Sequence, residues 1–256
     1  MLEIIPLPAL KDNYIWLLKN KKSRHIAIVD PSEAAPVLNV IKSEGLIPIA
    51  IMITHHHWDH VGGIAGITEQ FDIPVYTPKT EIVAGSTNPV GEGDIISLLE
   101  LNLRLEILDV PGHTSGAIAY YTDDMVFSGD TLFTAGCGRM FEGTPPQMHA
   151  SLSKFKTLPD STLLYCGHEY TASNLKFAAS VEPDNTIIHK RLQHVEKLRN
   201  SNQPTVPATL ADEKQTNPFL RCEMNDVIMA ANHFSGKNLI EPYEVFAALR
   251  QWKDNF

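Results

Sequence analysis

The spacing of apolar positions changes along the chain. In the first part, short β-rich runs at residues 4–7, 14–18 and 25–29 predict strands. Asp30, Pro31 and Ser32 end the third run. A helix is predicted from there to about Glu44, with Ser32 as its N-cap and Gly45 as its closing residue. Residues 47–53 form an isoleucine-rich apolar run, the pattern of a strand buried on both faces. Thr54 ends it, and a further helix is expected from Gly62-Gly63 to Phe71.

Strands are predicted at 75–77, 95–98, 103–110, 117–122 and 125–128. A glycine-rich loop at 131–146, a helix at 147–157 and a strand at 162–165 follow. After about Tyr170 the strand signals stop. Helices are expected at 172–180, 186–200, 223–231 and 243–252, with a proline-bearing loop at 203–218. The pattern therefore predicts a mixed α/β (α+β) chain: a strand-rich domain over 1–172, then a small all-helical domain over 173–256.

Composition narrows the function classes. The chain has 256 residues, 43% of them apolar and 20% charged, which suits a folded protein with a sizeable core. A formal charge of −9 disfavours nucleic acid and anionic membrane as partners, though not a small anionic substrate. Cys137, Cys166 and Cys222 are odd in number and far apart, so no disulfide framework is expected. The N-terminus carries no basic segment of a secretory signal, and no apolar run approaches the ~20 residues of a membrane span. A cytoplasmic protein is expected.

The candidate chemistry begins with Thr-His-His-His-Trp-Asp-His at 54–60, directly after the predicted buried strand. Five of these seven residues are potential metal ligands. In an extended segment alternate residues face the same way, so His55, His57 and Asp59 are expected to converge, with His60 turning back toward a second site. A surface histidine cluster with incidental metal affinity is the simpler alternative. It explains neither the buried strand before the cluster nor Gly62-Gly63 after it. Three more candidates, His113, Asp130 and His168, each lie just beyond a predicted strand and directly after a glycine. Singly, each reads better as a structural histidine or a capping aspartate. Three in order with one grammar point to a metal site built at strand ends.

The motif His-x-His-x-Asp-His with these three later residues resembles the metallo-β-lactamase superfamily. That resemblance implies an αββα sandwich and a dinuclear site. By it, one ion is held by His55, His57 and His113 and the other by Asp59, His60 and His168, with Asp130 bridging. Asp12-Asn13-Tyr14, Gly136-Cys137-Gly138-Arg139, Phe141-Glu142-Gly143-Thr144, Cys166-Gly167-His168-Glu169-Tyr170-Thr171, Asn217-Pro218-Phe219-Leu220-Arg221 and the terminal Lys253-Asp254-Asn255-Phe256 resemble the glyoxalase II (hydroxyacylglutathione hydrolase) family. The family resemblance implies hydrolysis of the thioester S-D-lactoylglutathione to glutathione and D-lactate by a metal-bridging hydroxide. It implies Asp59 and Asp130 at the reaction centre and Arg139, Phe141, Tyr170, Asn174, Arg250 and Lys253 as glutathione contacts. Trp58 stands where the family has histidine or alanine, Arg139 where it often has lysine, and Phe141 where tyrosine would add a hydroxyl.

The expected cofactors are two divalent ions, zinc ahead of iron or manganese, since all three accept a mixed imidazole and carboxylate shell. Arg250 and Lys253 are spaced i,i+3 and so share a helix face; by spacing alone a solvated face is the commoner outcome. Asp30 reads equally as a carboxylate behind a ligand histidine or as part of a capping turn. A monomer is expected. A persulfide dioxygenase using one iron, a β-lactamase or lactonase, a nuclease, and a non-catalytic metal module are the alternatives. The full second ligand set and the helical tail speak against the first, Asp130 where the commonest lactamases have cysteine and again the tail against the second, the charge against the third, and the cation set against the last.

Overall fold

A computed structural model describes residues 2–256. Its frame is a pair of six-stranded sheets. The first places β1 (Leu2–Ala9), β2 (Asn13–Asn20), β3 (His25–Val29), β4 (Ile47–Met52), β5 (Val75–Pro78) and β6 (Asn88–Val90) side by side in chain order. The second contains β7 (Ile95–Leu98), β8 (Leu103–Asp109), β9 (Ile118–Tyr121) and β10 (Met125–Gly129). After a hairpin of β11 (Leu132–Phe133) and β12 (Gly136–Cys137), the second sheet is completed by β13 (Leu163–Cys166) and β14 (Ala208–Thr209).

Strand direction decides where the site can form. β3 and β4 run parallel, so both end on one edge of the first sheet. β10 and β13 are parallel, and β8 runs with them because β9 is antiparallel to both β8 and β10. Two backbone hydrogen bonds join the edges, from Tyr14 N to Gly167 O at 2.8 Å and from Ile118 N to Thr54 O at 2.9 Å. Five strand ends thus open onto one rim, the usual place for a site on such a scaffold.

Side-chain alternation fills three layers. Along β2, Tyr14, Trp16 and Leu18 enter the space between the sheets, where they join Met52, Tyr120, Phe127 and Tyr165. Ile15 and Leu17 face the other way, toward α1 (Ala34–Glu44) and α3 (Ile64–Thr68), which follows the single turn α2 (Trp58–Val61). Residues 50–53 divide in the same manner, so the apolar run is buried on both faces as its composition predicts. The outer face of the second sheet lies under α4 (Pro145–Lys156) and shares its core with Phe219, Phe246 and Leu249 from the tail. The tail comprises α5 (Thr171–Val181), α6 (Thr186–Asn200), α7 (Leu210–Thr216), α8 (Asn225–Ser235) and α9 (Pro242–Asp254).

Several expectations are corrected. Ser32 is not an N-cap: α1 begins after Glu33, which makes no side-chain cap, and the Ser32 hydroxyl is buried without a partner. Segment 31–33 is held elsewhere, since Pro31 O accepts from Gly63 N at 2.7 Å and Glu33 accepts from Leu10 N at 2.9 Å. The helix expected from Gly62-Gly63 does begin there, with Gly63 as the residue before α3, but α3 ends at Thr68, short of Phe71, and Gly62 closes α2. A Cβ on Gly62 would lie 2.5 Å from Ser32 O, so the pair permits close backbone approach. The glycine-rich loop contains the β11–β12 hairpin. The tail is helical except for β14, which adds an edge to the second sheet beside β13. The proline-bearing loop contains α7, opened by a Thr209/Asp212 capping box.

The tail is also tied to the sandwich through a buried carboxylate. Glu213 is fully buried; it accepts from Arg191 Nη2 at 2.6 Å, Ala135 N at 2.7 Å and Asn217 Nδ2 at 3.0 Å. Removing one partner of such a pair strands the other charge. Glu213→Ala should lower unfolding free energy by about 3–5 kcal/mol, read by urea denaturation; a loss near zero would show that this pair does not fasten the tail.

Candidate metal centre

The rim where the sheets meet carries the histidine-rich segment. His55 follows β4, and His57 is the residue before α2. Asp59 and His60 sit within that single helical turn. His113, Asp130 and His168 follow β8, β10 and β13. The backbone stops being extended at Trp58, so Asp59 does not face the same way as His55 and His57, contrary to the spacing argument. It turns toward His60 and His168 instead.

The side chains form two triads. In the first, His55 Nε2 is 3.2 Å from His57 Nδ1, which is 3.0 Å from His113 Nε2. In the second, Asp59 Oδ2 lies 3.8 Å from His60 Nε2 and 3.5 Å from His168 Nε2. Asp130 stands between them: Oδ1 is 3.4 Å from His60 Nε2, and Oδ2 is 3.2 Å from His168 Nε2 and 3.6 Å from His113 Nε2. His60 Nε2 and Asp130 Oδ1 are buried, and neither has a hydrogen-bond partner. Such orphaned atoms cost about 1–3 kcal/mol each. A divalent ion satisfies both, and the imidazole and carboxylate donors suit one.

The electrostatics favour the ligand forms of the first triad and of Asp130, whereas burial of His60 and His168 is outweighed by the carboxylates beside them, which raise those two rings. Burial, with the neighbouring imidazoles, pushes His55, His57 and His113 below the usual histidine range, so they present neutral rings. Burial also opposes charge on Asp130, but His60 and His168 outweigh it and hold that carboxyl well below the usual range.

Three of the rings are aimed by a second partner, as ligand histidines generally are. Asp30 lies 3.0 Å from His60 Nδ1 and accepts from Thr54 N at 2.8 Å and Thr54 Oγ1 at 2.7 Å. Of its two sequence readings, the carboxylate behind a ligand is the one realised. Asp12 Oδ1 lies 2.8 Å from His168 Nδ1, Arg139 O lies 2.8 Å from His113 Nδ1, and Asn13 Nδ2 donates to Asp59 Oδ2 at 3.1 Å. No roles for Asp12, Asn13 and Thr54 emerged from spacing, because their partners lie in distant segments. Gly167 is required by proximity: a Cβ there would be 2.4 Å from Asp130 Oδ1.

A cleft of about 970 Å³ extends from the triads to α9. All six expected substrate contacts line it. Phe141 sets its ring edge-on to His57 and His113, at 5.7 and 5.3 Å between centroids. Tyr170 stacks on His168 at 4.8 Å. Asn174 is buried and uses its amide to hold Thr134 O at 3.0 Å. Arg250 is only 5% exposed, so it is not on a solvated helix face. Its guanidinium donates to Cys137 O at 2.9 Å and Asp254 Oδ1 at 3.0 Å. Arg139 approaches the same Asp254 oxygen at 3.4 Å. Lys253 Nζ donates to Ser173 O at 3.3 Å. Burial, reinforced by Arg250, pulls the Lys253 amine down to about 8. Trp58 is 70% exposed on the rim of the cleft.

Two family models divide the chain near residue 168. The model described as "Metallo-beta-lactamase superfamily" matches residues 13–168, and "Hydroxyacylglutathione hydrolase C-terminus" matches 169–256. A hydroxyacylglutathione hydrolase from Nitrosomonas eutropha is 50% identical over 256 residues, covering 100% of both chains. One from Alkalilimnicola ehrlichii is 51% identical over 254 residues, 99% of each. The crystal structure of TTHA1623 in a di-iron-bound form superposes with a TM-score of 0.58 at 26% identity, covering 85% of this chain and 100% of that one.

Metal binding to the folded form alone adds stability by mass action. Adding zinc to metal-free protein at about 1,000 times its dissociation constant should raise unfolding free energy by about 4 kcal/mol. Calorimetry with and without zinc reads this, and an unchanged Tm would show that the triads do not bind it.

Proposed function

The chain belongs to the hydroxyacylglutathione hydrolase family of the metallo-β-lactamase superfamily, and we propose that it hydrolyses S-D-lactoylglutathione to glutathione and D-lactate in methylglyoxal detoxification. One observation carries the reading: a single cleft has two metal-ligand triads at one end and Arg250 with Lys253 at the other. A glutathione thioester has the matching polarity, with a reactive carbonyl toward one end and carboxylates at the other.

His55, His57 and His113 would hold one ion, Asp59, His60 and His168 the second, and Asp130 both. When bound, two divalent ions supply a water that loses its proton near neutral pH and positive charge for the oxyanion that develops. Asp59 is placed to orient the attacking water through its carboxylate. Arg250 and Lys253 clamp the carboxylates of glutathione, with Arg139 beside them. Tyr170 and Asn174 line the path between the two ends. Phe141 offers an apolar wall where a tyrosine would offer a hydroxyl. The departing thiol has a pKa near ~8.5, so it leaves as thiolate without a strong general acid. The Tyr170 hydroxyl, held protonated by burial and by Asp12, is available as a hydrogen-bond donor.

We read 1–172 as the metal domain and 173–256 as the substrate-binding domain, with α9 contributing the clamp. Zinc fits the donor set best, and iron or manganese remains compatible; the di-iron neighbour supports a dinuclear centre. The three buried free thiols support a reducing, cytoplasmic setting. Among the described residues no helix is long and apolar enough to cross a membrane. We take the working unit as a monomer acting on a small molecule, without nucleic acid or membrane.

Loss of thioester absorbance with S-D-lactoylglutathione tests the reading directly. Lys253→Ala should raise KM about 10–100-fold, one charge-assisted bond, and leave kcat nearly unchanged. An inert metal-loaded wild type would sink the substrate assignment. The clamp also predicts a pH effect. Lys253 is a cation below its pKa of about 8 and neutral above it, so kcat/KM should fall as pH rises through that value. Lys253→Arg should move that limb to higher pH; an identical profile in the variant would assign it to another group.

A further inference from the structure

Glu81 has no part in the chemistry above, yet it is almost wholly buried, its side chain 2% exposed, beside the first triad. It lies in the loop after β5. One carboxylate oxygen, Oε1, accepts from Thr114 Oγ1 and from Gly116 N at 3.1 Å. Oε2 is buried without a hydrogen bond of good geometry and lies 3.0 Å from His56 Nδ1. The opposite nitrogen, His56 Nε2, is 3.3 Å from Glu142 Oε1, and Glu142 Oε2 accepts from Ser115 N at 2.8 Å. His56 therefore sits between two carboxylates, and both reach the same three-residue loop.

These contacts join two particular segments. His56 lies between His55 and His57, and Thr114 directly follows His113. The three ligands of the first triad are thus carried by exactly the two loops that Glu81 and Glu142 tie together. The fit is tight, since a Cβ on Gly116 would lie 2.6 Å from Glu81 Cγ. The second triad is held by other groups: Asp30 behind His60, Asp12 behind His168 and Asn13 on Asp59. The two triads thus have largely distinct outer supports, linked through Thr54, whose hydroxyl donates to Asp30 at 2.7 Å and lies 3.1 Å from His55 Nδ1.

We infer that Glu81, His56 and Glu142 form a clasp that sets the affinity of the first metal site independently of the second. Glu81 and His56 are positioning residues, acting through the loops that carry the ligands. The inference rests on reading both triads as metal sites.

The test is a titration of metal-free protein with Zn²⁺ against a chromophoric chelator, with no substrate present. Wild type should take up two equivalents, which checks the two-site reading by itself. The difference between variant and wild type checks the clasp. In Glu81→Ala and in His56→Ala, one equivalent should weaken about 10–100-fold, the usual effect of removing a partner behind a metal ligand, while the other keeps its affinity. Glu81→Gln keeps an acceptor for Thr114 and Gly116 and should fall between. Asp12→Ala should weaken the other equivalent, so that Glu81→Ala/Asp12→Ala weakens both. His56→Ala leaves the Thr114 and Gly116 hydrogen bonds in place, which separates an effect on the metal from a general loss of folding. The inference is overturned if both equivalents weaken together in the single variants, if His56→Ala titrates as wild type, or if Glu81→Ala and Asp12→Ala affect the same equivalent.

Discussion

The metal centre exists only because two separate sheets are held in one alignment at one rim, and polar bonds between them fix that alignment. Hydrophobic packing alone does not set it, since apolar contact is non-directional. The Trp16 indole donates across to Cys166 O at 3.0 Å, and the Tyr120 hydroxyl donates to Ile53 O at 2.7 Å. Together with the Tyr14–Gly167 and Ile118–Thr54 backbone bonds, these contacts end within a few residues of His55 and His168. Each uses a buried polar atom that would otherwise be unsatisfied, so sliding one sheet on the other would break several at once. A slide would also move His55 and His57 away from His113, because those ligands come from opposite sheets.

The site built on that rim is strongly polarised. Asp12, Asp30, Asp59 and Asp130 gather around five imidazoles at one end of the cleft, while Arg139, Arg250 and Lys253 gather at the other. Without ions, burial opposes charge on His60 and His168, but the carboxylates around them, Asp130 foremost, outweigh it and raise both. With divalent cations in place, the same carboxylates are compensated and the imidazoles are freed to coordinate. The negative charge of the whole chain therefore says little about the ligand. Acidic groups concentrated around the ions are compatible with an anionic substrate, provided its anionic end meets the cations at α9.

Most of this frame was legible in the sequence where one local rule governed the outcome. The isoleucine-rich run became a strand buried on both faces, residues 186–200 became a helix, and Gly45 closed α1 in the left-handed conformation. The strand-glycine-ligand grammar found His113, Asp130 and His168, and Gly167 shows why: no side chain fits beside Asp130 and His60. Local rules failed where a distant partner decided. Alternation placed Asp59 with His55 and His57, but Asn13, from another strand, holds it in a helical turn facing His168. Ser32 lost its capping role because α1 starts only after Glu33, while segment 31–33 is held to Gly63 and Leu10. β14 and α7 were hidden in a proline-bearing stretch whose order depends on pairing with β13 and on the Glu213–Arg191 contact. Glu81 carried no local signal and Asp12 none in its spacing, since their importance lies in what they touch.

The helical tail is more than a cover for the cleft. Arg250 holds the carbonyl of Cys137, and the next residue, Gly138, lies so close that a Cβ would meet Asp130 O and crowd His113. One residue further, the carbonyl of Arg139 orients the His113 ring. The cation at one end of the cleft is therefore connected through three consecutive backbone units to ligands at the other. Its own Nε is buried without a partner, so the guanidinium is only partly satisfied by the fold. A carboxylate arriving in the cleft would engage the same side chain that braces β12. Arg250 thus cannot be treated as a binding residue alone: removing it would disturb the His113 support as well. Lys253, whose side chain among the described residues meets Ser173 and two aromatic rings, is the side chain whose loss separates substrate binding from the integrity of the metal centre.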